Sequence, residues 1–100
     1  MYARVTTAYI RPEKVDEAVR VWRESVMPAA AKQPGFLRGQ LLVDRKMGLG
    51  MAIGLWESAA HADATGEGSA YLQEQLEKFA HMFSAPPVVE HYEHHEFLPD

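Results

Sequence analysis

Apolar and polar positions alternate along YARVTTAYI, residues 2–10. Val5, Thr7 and Tyr9 fall on one side of an extended chain, and Arg4, Thr6, Ala8 and Ile10 on the other, which predicts a strand. After Pro12 the period changes. Val15, Ala18, Val19, Trp22, Val26 and Ala29 form one stripe of a helix, with Lys14, Glu17, Arg20 and Glu24 off it. Pro12 suits a first helical turn, and Glu13, Asp16 and Glu17 suit its positive end. Pro28 is expected to kink this helix, or to end it and begin a second. QPGF at 33–36 stops it.

Two further strands follow, FLRGQLLVD (36–44) and MAIGLWE (51–57), joined by the turn RKMGLG into an antiparallel hairpin. Ser58 is placed to cap a short alanine-rich helix, which GEG at 66–68 interrupts. Ser69 restarts a longer one, where Leu72, Leu76, Phe79 and Phe83 cluster within roughly 60° of one direction. APP ends it, and a last strand opens at Val88. The order β-α-β-β-α-β predicts an α+β, ferredoxin-like fold, a four-stranded antiparallel sheet with its helices on one face. The other face, with Val5, Thr7 and Tyr9 or the alternate set, then needs a cover, and a homodimer packed sheet to sheet supplies it.

Composition narrows the setting. One hundred residues fit one domain, spanning 1–100, that buries only about 60–65% of its unfolded surface and gains from a partner subunit. There is no cysteine, so disulfides and thiolate chemistry are excluded. A net charge of −4 without a basic run argues against nucleic acid. No apolar run approaches about 18 residues, and no basic-then-apolar leader opens the chain, so a cytoplasmic protein with no membrane partner is expected.

Near the end, PPVVEHYEHHEF (86–97) carries three of the five histidines among three glutamates. Two prolines followed by Val, Val, Tyr and Phe favour extended backbone. In a strand His91, Glu93 and His95 share a side, and the two imidazoles stand about 13 Å apart, too far for one metal ion. The segment therefore reads as a strand with polar groups at the sheet end or dimer rim, with no metal site. A helical segment would instead suit zinc, and a pH-sensitive dimer contact is a third reading.

Taken together, YIRPEKVDEA, QPGF, GLWES, the interrupted helix and APPVVEHYE resemble the antibiotic biosynthesis monooxygenase (ABM) family of the dimeric α/β-barrel superfamily. The likeness runs over nearly the whole chain. It implies a dimeric barrel of two ferredoxin-like units and a small aromatic substrate bound without a cofactor. The superfamily hosts cofactor-free oxygenases, haem-degrading enzymes, isomerases and ligand-binding domains, and the fold does not choose among them. The haem-degrading branch uses an asparagine on the first strand, a helical tryptophan and a later histidine. This chain has no asparagine; Thr6 or Thr7 holds the strand position, Thr65 stands near that of the tryptophan, and His81 comes too late. The resemblance therefore speaks against haem degradation. Cofactor-free anthrone oxygenases have a tryptophan at the end of the third strand, matched by Trp56. Where some carry asparagine and tyrosine, this chain has Ala52 and Ala62.

The chemistry so implied is oxidation of a small phenolic, anthrone or quinol-type aromatic by dioxygen. It asks for an apolar slot, a base and a donor for the anion. Trp56 is the candidate to stack on the ring and His61 the candidate base. Thr6, Tyr71, Phe79 and Phe83 are candidate substrate contacts. Each has a plainer reading: Trp56, Phe79 and Phe83 as core, His61 as an exposed helix start, Tyr71 as packing, and Arg38 as a charge at a sheet end. The competing class is a non-catalytic dimeric domain that binds a small ligand.

Overall fold

The computed structural model describes residues 1–99. Strands β1 (Tyr2–Tyr9), β2 (Phe36–Asp44), β3 (Leu49–Trp56) and β4 (Val88–Glu93) form one antiparallel sheet in the order β2-β3-β1-β4. This is the ferredoxin-like α+β arrangement expected from the sequence.

The register decides what lies under the helices. Arg4 pairs with Gly54, Thr6 with Ala52 and Ala8 with Gly50, while Tyr2 pairs with Trp56. Paired residues share a face, so the inward side of β3 reads Gly50, Ala52, Gly54, Trp56. On the far side of β1, Arg4 pairs with His91 and Thr6 with Val89.

The first helical layer begins with a 3₁₀ turn at Pro12–Lys14 and continues as α1 (Val15–Val21), a π-helical turn (Trp22–Val26) and α2 (Met27–Ala31). Pro28 has no N–H, and its ring crowds the carbonyl of Glu24; the wider π turn just ahead of it absorbs that conflict without ending the helix. The layer sits close on β2 because residue 39 is glycine. A Cβ there would meet Met27 Sδ at 2.7 Å and Trp22 Cη2 at 3.0 Å.

Helices α3 (Ala59–Ala64) and α4 (Ala70–Glu77) both start at the expected serine caps. Ser58 Oγ accepts from the His61 amide and Ser69 Oγ from that of Leu72. Helix α4 ends at Glu77, short of Phe83. The chain beyond is claimed by the end of β1: Arg11 N donates to Met82 O, Ser84 N donates to Tyr9 O, and Ile10 bridges Phe83. Periodicity alone does not register that competition. Strand β3 likewise starts two residues earlier than expected, at Leu49. Asp44 Oδ1 accepts from the amides of Lys46 and Met47, and Gly48 takes φ +65°, which tightens the turn.

The C-terminal histidine segment is extended, as its composition suggested, but the strand stops at Glu93. His95 Nε2 lies 2.6 Å from Glu93 Oε2. Among the described residues no group of three or more His, Asp or Glu side chains could hold a metal ion, and no helix is long and apolar enough to cross a membrane. Past β4 the chain crosses the sheet. His94 N donates to Met1 O, and Glu96 pairs with Arg38 on β2, at the opposite edge. That course runs over Ala3 and Leu55, which are buried although they face away from the helices. Elsewhere that face is open: Leu42 is 54% exposed and Val88 55%, with Tyr9 and Tyr92 also exposed.

Gly35 ties the β2 start to α3. Its φ is +79°, and a Cβ would lie 2.3 Å from His61 Cγ. Gly35→Ala is expected to cost at least about 1–2 kcal/mol from the backbone alone, before the clash with the ring. Thermal unfolding should report this as a fall of roughly 4–8 °C per kcal/mol. An unchanged Tm would mean that α3 does not hold its ring against this turn.

Candidate functional site

Small side chains along the inward face of β3 leave a gap beneath the helices. A half-open cavity of about 130 Å³ occupies it, with an almost wholly apolar lining. Gly50, Ala52 and Gly54 form part of the floor and Trp22 lines it from the first helical layer. Phe36 and Trp56 stand at one end, their rings edge to face at 5.1 Å between centroids. Phe79 and Phe83, stacked 6.1 Å apart, line the other side.

Arg4 is part of this lining and is only 6% exposed. It is the one charged side chain in the buried set among the described residues. Its Nη2 donates to Ala62 O at 2.6 Å and Thr65 Oγ1 at 2.7 Å, and its Nε donates to His91 Nε2 at 3.2 Å. These contacts close the last turn of α3, where Ala62 O also accepts from the Thr65 amide at 3.2 Å. The guanidinium carbon lies 5.1 Å from the centroid of the Trp56 ring, a cation–π distance. None of these partners is a carboxylate. Among the described residues no carboxylate comes within 4.0 Å of the guanidinium. Burial draws the Arg4 pKa down from its ordinary value, with Tyr71 and Asp63 acting in the opposite sense; an arginine stays charged throughout the neutral range.

Trp56 is 1% exposed, and its indole N–H has no hydrogen-bond partner in the described structure. A buried donor left unpaired costs roughly 1–3 kcal/mol. A Cβ at Gly54 would lie 3.4 Å from that nitrogen, in ordinary van der Waals contact. Tyr71 and Gln75 complete the polar part of the lining with Thr6. Burial raises the Tyr71 pKa, an effect that Arg4 opposes, and the phenol remains a hydrogen-bond donor at neutral pH. Gln75 Oε1 accepts from Lys78 Nζ at 2.7 Å.

Of the residues singled out from the sequence, Thr6, Trp56, Tyr71, Phe79 and Phe83 all line this cavity. His61 does not. Its Nδ1 lies 2.8 Å from Ser58 Oγ, and its ring rests against Gly35, so the helix cap holds it outside the lining. Arg38 is occupied by Glu96. Sequence reasoning missed Arg4, Gln75 and His91. For Arg4 a signal was present: a charge at the head of the set Arg4, Thr6, Ala8, Ile10, which the pattern turns toward the helices. His91 could be found only from the β1–β4 register.

Solved structures share this architecture. A putative antibiotic biosynthesis monooxygenase from Caulobacter crescentus superposes with a TM-score of 0.75 at 23% identity, over 95% of this chain and 90% of that one. A mutant of SnoaB, a cofactor-independent oxygenase from Streptomyces nogalater, gives 0.71 at 17% identity, over 99% and 97%. Sequence relatives include two uncharacterized proteins of Mycobacterium tuberculosis. Rv2557 is 34% identical over 93 residues and Rv2558 33%, each match covering 93% of this chain. The chain spans about 40% of the length of these relatives. The sequence profile of the antibiotic biosynthesis monooxygenase family matches residues 1–82, and the chain belongs to that family.

Proposed function

We propose that the protein is a cofactor-independent monooxygenase that oxidises a small phenolic, anthrone or quinol-type aromatic with dioxygen. The observation that carries this reading is Trp56: its flat ring closes an apolar chamber, with a guanidinium over the ring and an unpaired N–H on its edge. An aromatic ring that has lost its hydroxyl proton is electron-rich enough to reduce dioxygen. The protein's task is then to hold that ring, exclude water and stabilise the anion. In the anthrone case a ring CH2 becomes a carbonyl: one oxygen atom stays on carbon, the other leaves as water with both hydrogens, and the substrate supplies all four electrons. Trp56 and Phe36 would stack against the ring, Tyr71 would donate to a ring oxygen, and Phe79 and Phe83 would wall the slot.

One feature favours a second reading, a non-catalytic binding domain. Among the described residues the cavity lining contains no carboxylate, histidine or lysine, hence no evident base. Oxygen uptake with a panel of phenols, hydroquinones and anthrones separates the two. Ala52→Phe, which fills the cavity floor, should abolish uptake while leaving Tm unchanged or higher. Trp56→Phe, which keeps a ring and removes the indole donor, should lower kcat/KM about tenfold, the worth of one hydrogen bond of roughly 1.4 kcal/mol. Tight binding of the same compounds with no oxygen uptake would establish the second reading instead.

The same proposal includes a homodimer joined through the open sheet face, where Leu42, Val88, Tyr9 and Tyr92 are exposed. An apolar sheet face of this kind is a usual mark of an interface. Sedimentation equilibrium should find wild-type dimers, and Leu42→Glu, which places a charge in that face, should shift them to monomers. A wild type that sediments as a monomer at every concentration overturns this assembly.

A further inference from the structure

We infer that the cavity takes its ligand as a preformed anion, a single-ring phenolate whose ionised oxygen is held by the guanidinium of Arg4 at the Trp56 end of the lining. This rests on the site proposed above but not on oxidation occurring there.

Charge balance is the first ground. A guanidinium removed from water costs several kcal/mol unless it is paired and hydrogen-bonded. Arg4 is hydrogen-bonded to two oxygens and one ring nitrogen, none of them a carboxylate's; no carboxylate of the described residues lies within 4.0 Å, and Asp63 acts on the charge only from farther away. Its Nη1 has no hydrogen bond to protein among the described residues, and the side chain borders the cavity. Closing the end of α3 accounts for Nη2, but a neutral donor would serve that purpose without a buried charge. An anion in the cavity supplies the missing counter-charge.

The second ground is the kind of polar group present. Arg4, Trp22, Trp56, Tyr71, Gln75 and Thr6 are the members of the lining with a polar side-chain atom, and each can donate a hydrogen bond. Arg4 and Trp56 can only donate, and burial keeps the proton on Tyr71. None of them is suited to take a proton from a neutral phenol near pH 7. A site of donors without a base selects a ligand that has already ionised, and it makes ionisation easier by favouring the anion.

Size sets the ring count. An apolar cavity of about 150 Å³ accommodates benzene. At about 130 Å³ this chamber suits one ring and its oxygen. A fused three-ring compound would have to extend out through the open side, so the inference narrows the substrate class to one-ring phenols, the size that the space itself holds.

Anaerobic titration of 4-nitrophenol, whose phenolate absorbs in the visible, reads the state of the bound ligand directly. With protein in excess its apparent pKa should fall by one unit or more, a tenfold preference for the anion. Nitrobenzene, which matches the ring and lacks the ionisable oxygen, should bind at least tenfold more weakly. Arg4→Met should remove the pKa shift. Should that variant not fold, the nitrobenzene comparison in the wild-type protein decides alone. A bound pKa that is unchanged or raised, nitrobenzene bound as tightly as 4-nitrophenol, or binding of neither overturns the inference. A three-ring dihydroxyanthrone that displaces 4-nitrophenol at equal concentration overturns the one-ring limit. A protein that binds the phenolate yet consumes no oxygen keeps this inference and loses the oxygenase reading.

Discussion

A single buried charge organises this molecule. Arg4 sits on the inward face of β1, and its hydrogen bonds reach α3 on one side and β4 on the other. Hydrogen bonds to a charged group contribute about 1.5–3 kcal/mol each, and a desolvated cation–π contact adds about 2 kcal/mol. Those terms are of the same order as the several kcal/mol lost on desolvation. Arg4 is therefore tolerated without being neutralised. Its neighbours satisfy its geometry and leave its electrostatic field, and that field is what the cavity offers to a ligand.

The cavity itself follows from strand register. Gly50, Ala52 and Gly54 are aligned under the helices because β1 and β3 pair as they do. A shift of one residue would turn Leu49, Met51 and Ile53 inward and fill the space. Glycine serves a different purpose at residue 39, where it lets the ring of Trp22 and the thioether of Met27 approach β2. Missing side chains thus create the chamber at one end of the sheet and tighten the packing of the helical layer over β2.

The strands, the capping serines, the distortion of the helix at Pro28 and the extended histidine segment were legible because each is set locally, by alternation or by the chemistry of one or two residues. The end of α4 was not, since the backbone of residues 82–84 is taken by the end of β1, a contact between segments far apart in sequence. The site divides in the same way. Trp56, Tyr71, Thr6 and the two phenylalanines could be found from position and residue type. His61 could not be separated from a pocket residue by type alone, because its removal from the cavity depends on Gly35 and Ser58 meeting its ring. Arg4 was visible as a charge in an inward-facing set, but its lack of a counter-ion is a property of the assembled core.

Alternation also links the site to the open face. Arg4 and Thr6 point into the cavity, whereas Ala3 and Val5 point the other way. The C-terminal tail closes over Ala3 and Leu55, the neighbours of Arg4 and Trp56 on the opposite side of the same two strands. The strand ends that carry the guanidinium and the indole are thereby held from both sides, by α3 above and by the tail below. Fixed donors cost no reorganisation when an anion forms or arrives, which is the condition for electrostatic stabilisation to be large. The tail contributes stiffness: none of its residues lines the cavity, yet it braces the end of the sheet from which Arg4 and Trp56 project.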